Sequence, residues 1–130
     1  MAARPREKEL TATQRKELIG LLEAKRDELR AALRDRRAGT TAEEGRSGDE
    51  ADQASEDAEV ALETRLMDRD AKLLREVERA LRKVDTGDYG LCEGTDEPIG
   101  YARLKLRPWT RYSVTYKEEL EREEKRHSGG

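Results

Sequence analysis

Residues 60–84, VALETRLMDRDAKLLREVERALRKV, decide the fold. Val60, Met67, Leu74 and Leu81 recur every seven residues, and Val77 and Val84 hold the companion position three further on. Leu66, Leu73 and Ala80 widen the same face. A seven-residue apolar repeat draws one stripe along an α-helix, and that stripe is buried only against a partner helix. Glu63 and Asp70 interrupt it where a seam wants apolar groups. The half of the pairing away from Val84 is therefore expected to be the less stable.

Working outward, Asp49 is a suitable N-cap, and the striped helix is predicted over 49–84. Thr86-Gly-Asp-Tyr-Gly90 ends it, with Gly87 free to adopt a left-handed cap. Upstream, Leu18, Leu22, Leu29 and Leu33 form a second stripe on a helix predicted from Ala12 to Arg37. Thr11-Ala-Thr-Gln14 resembles a capping box that opens this helix, and Ala38-Gly39 is expected to stop it. Residues 38–48, AGTTAEEGRSG, are the connection, and two helices so joined pack antiparallel. At about 1.5 Å per residue, roughly 35 residues make a finger about 50 Å long. Beyond it, 90–101 reads as a small hairpin around Asp96-Glu-Pro98, 103–107 as a helical turn and 115–127 as a final charged helix. The expected organisation is a flexible arm over 1–11 and a coiled-coil hairpin over 12–84 with its tip loop near 38–52. A small module over 85–116 and a C-terminal helix and tail over 117–130 complete it.

Composition agrees. Leu, Ile and Val together occupy 21 of 130 positions and Phe is absent, which is thin for a globular core. Ala, Glu, Lys, Leu and Arg occupy 77, the signature of long helices. Net charge is −3, with 27 basic against 30 acidic residues, so bulk charge does not attract nucleic acid. No stretch approaches the roughly 20 apolar residues that span a membrane, and Met1–Lys16 lacks a secretory core. One cysteine, Cys92, makes no internal disulfide and fits a reducing cytoplasm.

Two constellations carry charge. Glu43, Glu44, Asp49, Glu50, Asp52, Glu56, Asp57 and Glu59 face a single Arg46. Such acids commonly furnish a solvated loop and a helix start. On the end of a finger they also form a carboxylate cluster able to approach a metal or a basic channel. Between Tyr101 and Lys117, the bases Arg103, Lys105, Arg107, Arg111 and Lys117 interleave with Tyr101, Trp109, Tyr112 and Tyr116, without an acid. Trp109 and Tyr101 are expected in the core of the small module, and Arg107, Arg111 and Lys117 are candidates for a phosphate or nucleic-acid contact. No nucleophile–base set is present, and Cys92 and the distant His127 cannot make a zinc site, so an enzyme is not expected. A self-associating structural coiled coil and an RNA- or ribosome-binding factor are two readings that these residues allow.

KVDTGDYGLC (83–92) followed by EPIGYARLKLRP (97–108) resembles the DksA/TraR family, as does Asp49-Glu-Ala-Asp52-Gln-Ala54 beside that family's D-x-x-D-x-A tip motif. The likeness runs from about Asp49 to Lys117. It implies a mainly α fold: a long antiparallel coiled-coil hairpin, a small degenerate zinc-finger-like α/β module and a C-terminal helix. It implies a monomeric cytoplasmic regulator that inserts its finger into the secondary channel of RNA polymerase and reads no DNA sequence. Asp49, Asp52 and Ala54 would act at the tip on promoter-complex stability, with Arg69, Arg103, Arg107 and Lys117 contacting polymerase. The family's four zinc cysteines fall at Cys92, Thr95, Ser113 and Tyr116, so zinc is not expected, and packing by Leu91, Ile99, Leu104, Trp109, Val114 and Tyr116 is expected instead. Arg107 and Lys117 match basic positions that meet the alarmone (p)ppGpp, but Glu76 stands where a lysine is expected and opposes a polyphosphate.

Overall fold

Thr11 and Gln14 open the first helix as the sequence predicts. The Thr11 N–H donates to Gln14 Oε1 at 3.0 Å and the Gln14 N–H to Thr11 Oγ1 at 3.1 Å, so two orphan donors are satisfied reciprocally. The structure, a computed structural model, describes residues 9–42 and 50–129. Helix α1 spans Ala12–Ala42 and α2 spans Glu50–Thr86. α1 runs past the expected stop at Ala38-Gly39. An exposed glycine costs a helix only about 1 kcal/mol and does not break it, and nothing crowds Gly39. The expected tip loop is correspondingly shortened from both sides.

Ion pairs set the orientation of the two helices. Arg36 meets Glu63 and Asp70, Arg30 meets Glu78, and Arg15 donates to the Tyr89 carbonyl. Partners fall along α1 as they rise along α2, so the hairpin is antiparallel. Its core lies at the base. Leu18, Leu22 and Leu29 of α1 pack with Val77 and Ala80 of α2, and Leu73, Leu74, Leu81 and Val84 flank them. Each fully buried Leu contributes roughly 1.5–3 kcal/mol, which anchors this end.

The stripe does not continue to the tip. Val60 is 58% exposed and Leu62 is exposed too. Arg36 reaches both Glu63 and Asp70, which places Val60 level with the last described turn of α1. Asp70 corrects a further expectation. It is not a fault in the seam: only 6% exposed, it receives Arg36 Nη1 at 2.6 Å. A buried polar pair of this kind fixes helix register at some cost in stability. Removing one member of a buried pair costs about 3–5 kcal/mol. Here Arg36 is partly exposed and Arg69 stands 3.5 Å from the same carboxylate, so Arg36→Ala is expected to cost about 2 kcal/mol in urea unfolding. An unchanged midpoint would show that Arg36 does not lock the pairing.

α2 ends as its sequence suggests. Gly87 has φ 84°, and the Asp88 N–H returns to the Lys83 carbonyl at 2.9 Å. The expected hairpin over 90–101 shrinks to a single Leu91–Pro98 bridge, and the described residues contain no strand. The short helix α3 (Tyr101–Leu106) and the last helix α4 (Val114–Gly129) start slightly earlier than predicted. Ile99, Leu104 and Cys92 are buried and join the hairpin core, whereas Val114 is half-exposed and takes no part in it. Tyr89 carries more than the sequence suggested. Its buried hydroxyl donates to the Pro108 carbonyl at 2.8 Å, and burial pushes its ionisation up. Leu10, expected in the arm, packs against the core, and a side chain at Gly90 would meet it at 3.1 Å. α4 meets the core through Tyr116 and is otherwise largely exposed.

Candidate functional site

Two regions at opposite ends of α2 hold the residues singled out by the sequence. At the far end Asp52 and Ala54 lie in the first turns of α2, with exposed side chains, while Asp49 lies outside the described residues. Residues 50–63 contain Glu50, Asp52, Glu56, Asp57, Glu59 and Glu63 and no base. The start of a helix tolerates acids because its unpaired N–H groups carry partial positive charge. Arg69 is exposed on the same helix, 17 positions beyond Asp52 and so about 25 Å away.

At the base, the four positions Cys92, Thr95, Ser113 and Tyr116 come together. Burial alone would push the Cys92 thiol up. The hydroxyls of Thr95 and Ser113 and backbone hydrogen bonds from Ser113 and Gly94 outweigh it and bring the thiol down to about 7. The Tyr116 N–H donates to Ser113 Oγ at 3.3 Å. The Tyr116 ring lies on Gly94 so closely that a side chain there would overlap it, and the Tyr112 ring lies tilted beside it with centroids 5.3 Å apart. A structural zinc site takes four sulfur or nitrogen ligands. One thiol and three hydroxyls, one of them on a ring that fills the space beside Gly94, do not fit that ion. Among the described residues no group of three or more His, Cys, Asp or Glu side chains could hold a metal.

A cavity of about 350 Å³ opens on the same module. Arg103, Arg107, Arg111 and Lys117 line it, together with Trp109, Tyr112 and Glu76 from α2. Arg103 Nε is held by the Tyr112 carbonyl at 2.9 Å and Arg111 is paired with Glu93, whereas Arg107 and Lys117 have no ion pair among the described residues. Three expected contact residues, Arg103, Arg107 and Lys117, are thus gathered in one place, while Arg69 and Asp52 are not. The sequence did not show the pairing of Arg111 with Glu93, since 18 positions separate them and no periodicity links a turn to a turn. On the other side of the module, Lys105 and the Tyr101 hydroxyl both bind the Glu17 carboxylate of α1, and these hydrogen bonds lower its pKa.

A helical finger with an acidic end and a metal-finger-like base define a class of two-helix coiled-coil proteins with a degenerate C4 knuckle. Two family models match: the DnaK suppressor protein DksA N-terminal domain over residues 14–84 and the prokaryotic dksA/traR C4-type zinc finger over 87–122. The chain belongs to the DksA/TraR family. It is similar to the RNA polymerase-binding transcription factor DksA of Salmonella typhimurium, at 33% identity over 97% of this chain and 83% of that protein. The protein of the same name from Caulobacter vibrioides is 49% identical over 61% of this chain, a match spanning only 56% of that relative. The solved structure of transcription factor DksA2 from Pseudomonas aeruginosa matches with a TM-score of 0.79 and 35% identity, covering 94% of each chain.

Proposed function

We propose that this chain binds RNA polymerase directly and alters promoter-complex stability through the acidic end of its hairpin. The observation that carries this reading is the placement of exposed Asp52 and Ala54 at the far end of a two-helix finger, in a segment without a single base. A narrow finger reaches where a globular domain cannot, and its carboxylates are drawn to a basic channel and repelled by nucleic-acid phosphate. In this reading Asp49 acts beside Asp52. Arg69 and the cluster Arg103, Arg107 and Lys117 hold the enzyme along the finger and at its base. The protein works as a cytoplasmic monomer, without zinc and without reading DNA sequence. No helix among the described residues is long and apolar enough to cross a membrane.

Alarmone control is weak in this reading. Arg107 and Lys117 offer a polyphosphate two cations that are unpaired among the described residues, but Glu76 lines the same cavity and repels it. A purified transcription reaction tests the whole proposal. Adding the chain is expected to change the lifetime of promoter complexes, and adding (p)ppGpp to alter that effect less than about twofold, under 0.5 kcal/mol. An unchanged lifetime would remove the proposal, and strong (p)ppGpp dependence would remove the role given to Glu76.

A further inference from the structure

Glu93 follows Cys92 directly, and its carboxylate is the meeting point of three cations. Arg79 Nη2 lies 2.6 Å from Oε1 and Lys83 Nζ 3.4 Å from Oε2. Arg111 approaches both oxygens, at 3.2 and 3.3 Å. Arg79 and Lys83 stand one turn apart on α2, whereas Arg111 belongs to the turn that leads into α4. The Glu93 main chain reaches that turn as well, its N–H donating to the Arg111 carbonyl at 2.8 Å. Glu93 therefore bridges three pieces of chain: the turn carrying Cys92 and Thr95, the turn carrying Ser113, and the hairpin.

In a four-cysteine finger the metal makes the first of these connections, since two ligands come from each turn. We infer that Glu93 is a positioning residue that takes over this work, its carboxylate fastening the 92–95 turn to the 111–113 turn and both to α2. A carboxylate has about four acceptor sites, and the three cations aim five N–H donors at them, two each from Arg79 and Arg111 and one from Lys83, which makes it an effective junction. Burial opposes charge on Glu93, yet Arg111, Arg79 and Lys83 together hold its carboxyl below the ordinary range. The Glu93 side chain is only 19% exposed, as is that of Lys83, while Arg79 is 47% exposed. The junction also fixes Arg111 at the edge of the basic cavity, and its consequence for polymerase binding rests on the function proposed above.

An ionic junction and a metal junction fail under opposite treatments. Salt screens exposed charges over about 10 Å at 0.1 M and about 3 Å at 1 M, while a chelator strips metal and leaves ion pairs alone. Trp109, the single tryptophan, lies two residues from Arg111 and packs against the core, so its emission follows the packing at the base. In the full-length chain, Glu93→Gln is expected to lower the thermal transition of Trp109 emission by on the order of 5–10 °C. Raising NaCl from about 0.1 to about 1 M is expected to lower the wild-type transition more than that of Glu93→Gln, with EDTA indifferent in both. Arg79→Gln, which removes the most exposed arm, is expected to give a smaller shift in the same direction and serves if Glu93→Gln does not fold. A wild-type transition that EDTA lowers, or salt shifts equal in wild type and variant, would overturn the inference. If these results hold but the wild-type chain does not bind polymerase, only the proposed function falls.

Discussion

Replacing Asp49 and Asp52 together by asparagine is expected to leave the chain bound to RNA polymerase and to abolish its effect on promoter complexes. The substitution keeps side-chain volume, exchanges one acceptor oxygen of each residue for a donating amide, and removes two negative charges. Asp52 is exposed in the first turn of α2, far from the core at the hairpin base. Losing an acid near a helix start costs about 0.3–1 kcal/mol for each residue, too little to unfold the protein. Attachment in the proposed arrangement comes from Arg69 and from Arg103, Arg107 and Lys117, which the substitution does not touch. Affinity for polymerase should therefore stay within about threefold, a difference of under 1 kcal/mol, while the change in promoter-complex lifetime disappears. Full activity of the double variant in a purified transcription reaction would exclude the tip carboxylates as the acting groups. Loss of binding alongside activity would instead assign them to attachment.

The hairpin was legible because its signals are local and periodic. The stripe from Leu73 to Val84, the Thr11–Gln14 capping box and the left-handed Gly87 each depend on neighbours within a turn or two, and all three appear as read. Misjudgements arose where one local rule was asked to decide a matter of length or partnership. Gly39 is a weak helix former but nothing obliges the chain to turn there. Val60 fits the heptad but is left 58% exposed. Asp70 breaks the apolar pattern, yet a single arginine 34 positions away makes it a register lock. The base was harder still. Its missing ligands could be counted by analogy with the family, but what holds the turns together could not. Glu93, Arg79 and Arg111 read as three more charges in a chain that is 44% charged. Only folding brings them to one point.

Installing the three missing thiols is expected to convert the base into a zinc protein. Thr95 and Ser113 already place their hydroxyls on the Cys92 thiol, and Tyr116 begins α4 with its N–H on Ser113. Little backbone movement is needed for T95C, S113C and Y116C to surround one ion with four sulfurs about 2.3 Å away. Without metal the triple variant should be less stable than wild type. Removing the Tyr116 ring uncovers Gly94 and ends its contact with Tyr112, at a cost of about 2–3 kcal/mol, below the 3–5 kcal/mol of a fully buried ring. With Zn²⁺ the balance reverses, since structural sites of this kind bind with about 10–16 kcal/mol apparent free energy at neutral pH. Competition with a chromophoric chelator should then show one tightly held ion per chain, and the Trp109 transition should rise with zinc and collapse with EDTA. The wild-type chain should show neither response. A triple variant that takes up no zinc would mean that the two turns do not face each other as described. A wild-type chain that loosens in EDTA would mean that the thiol and hydroxyls of this module hold a metal after all.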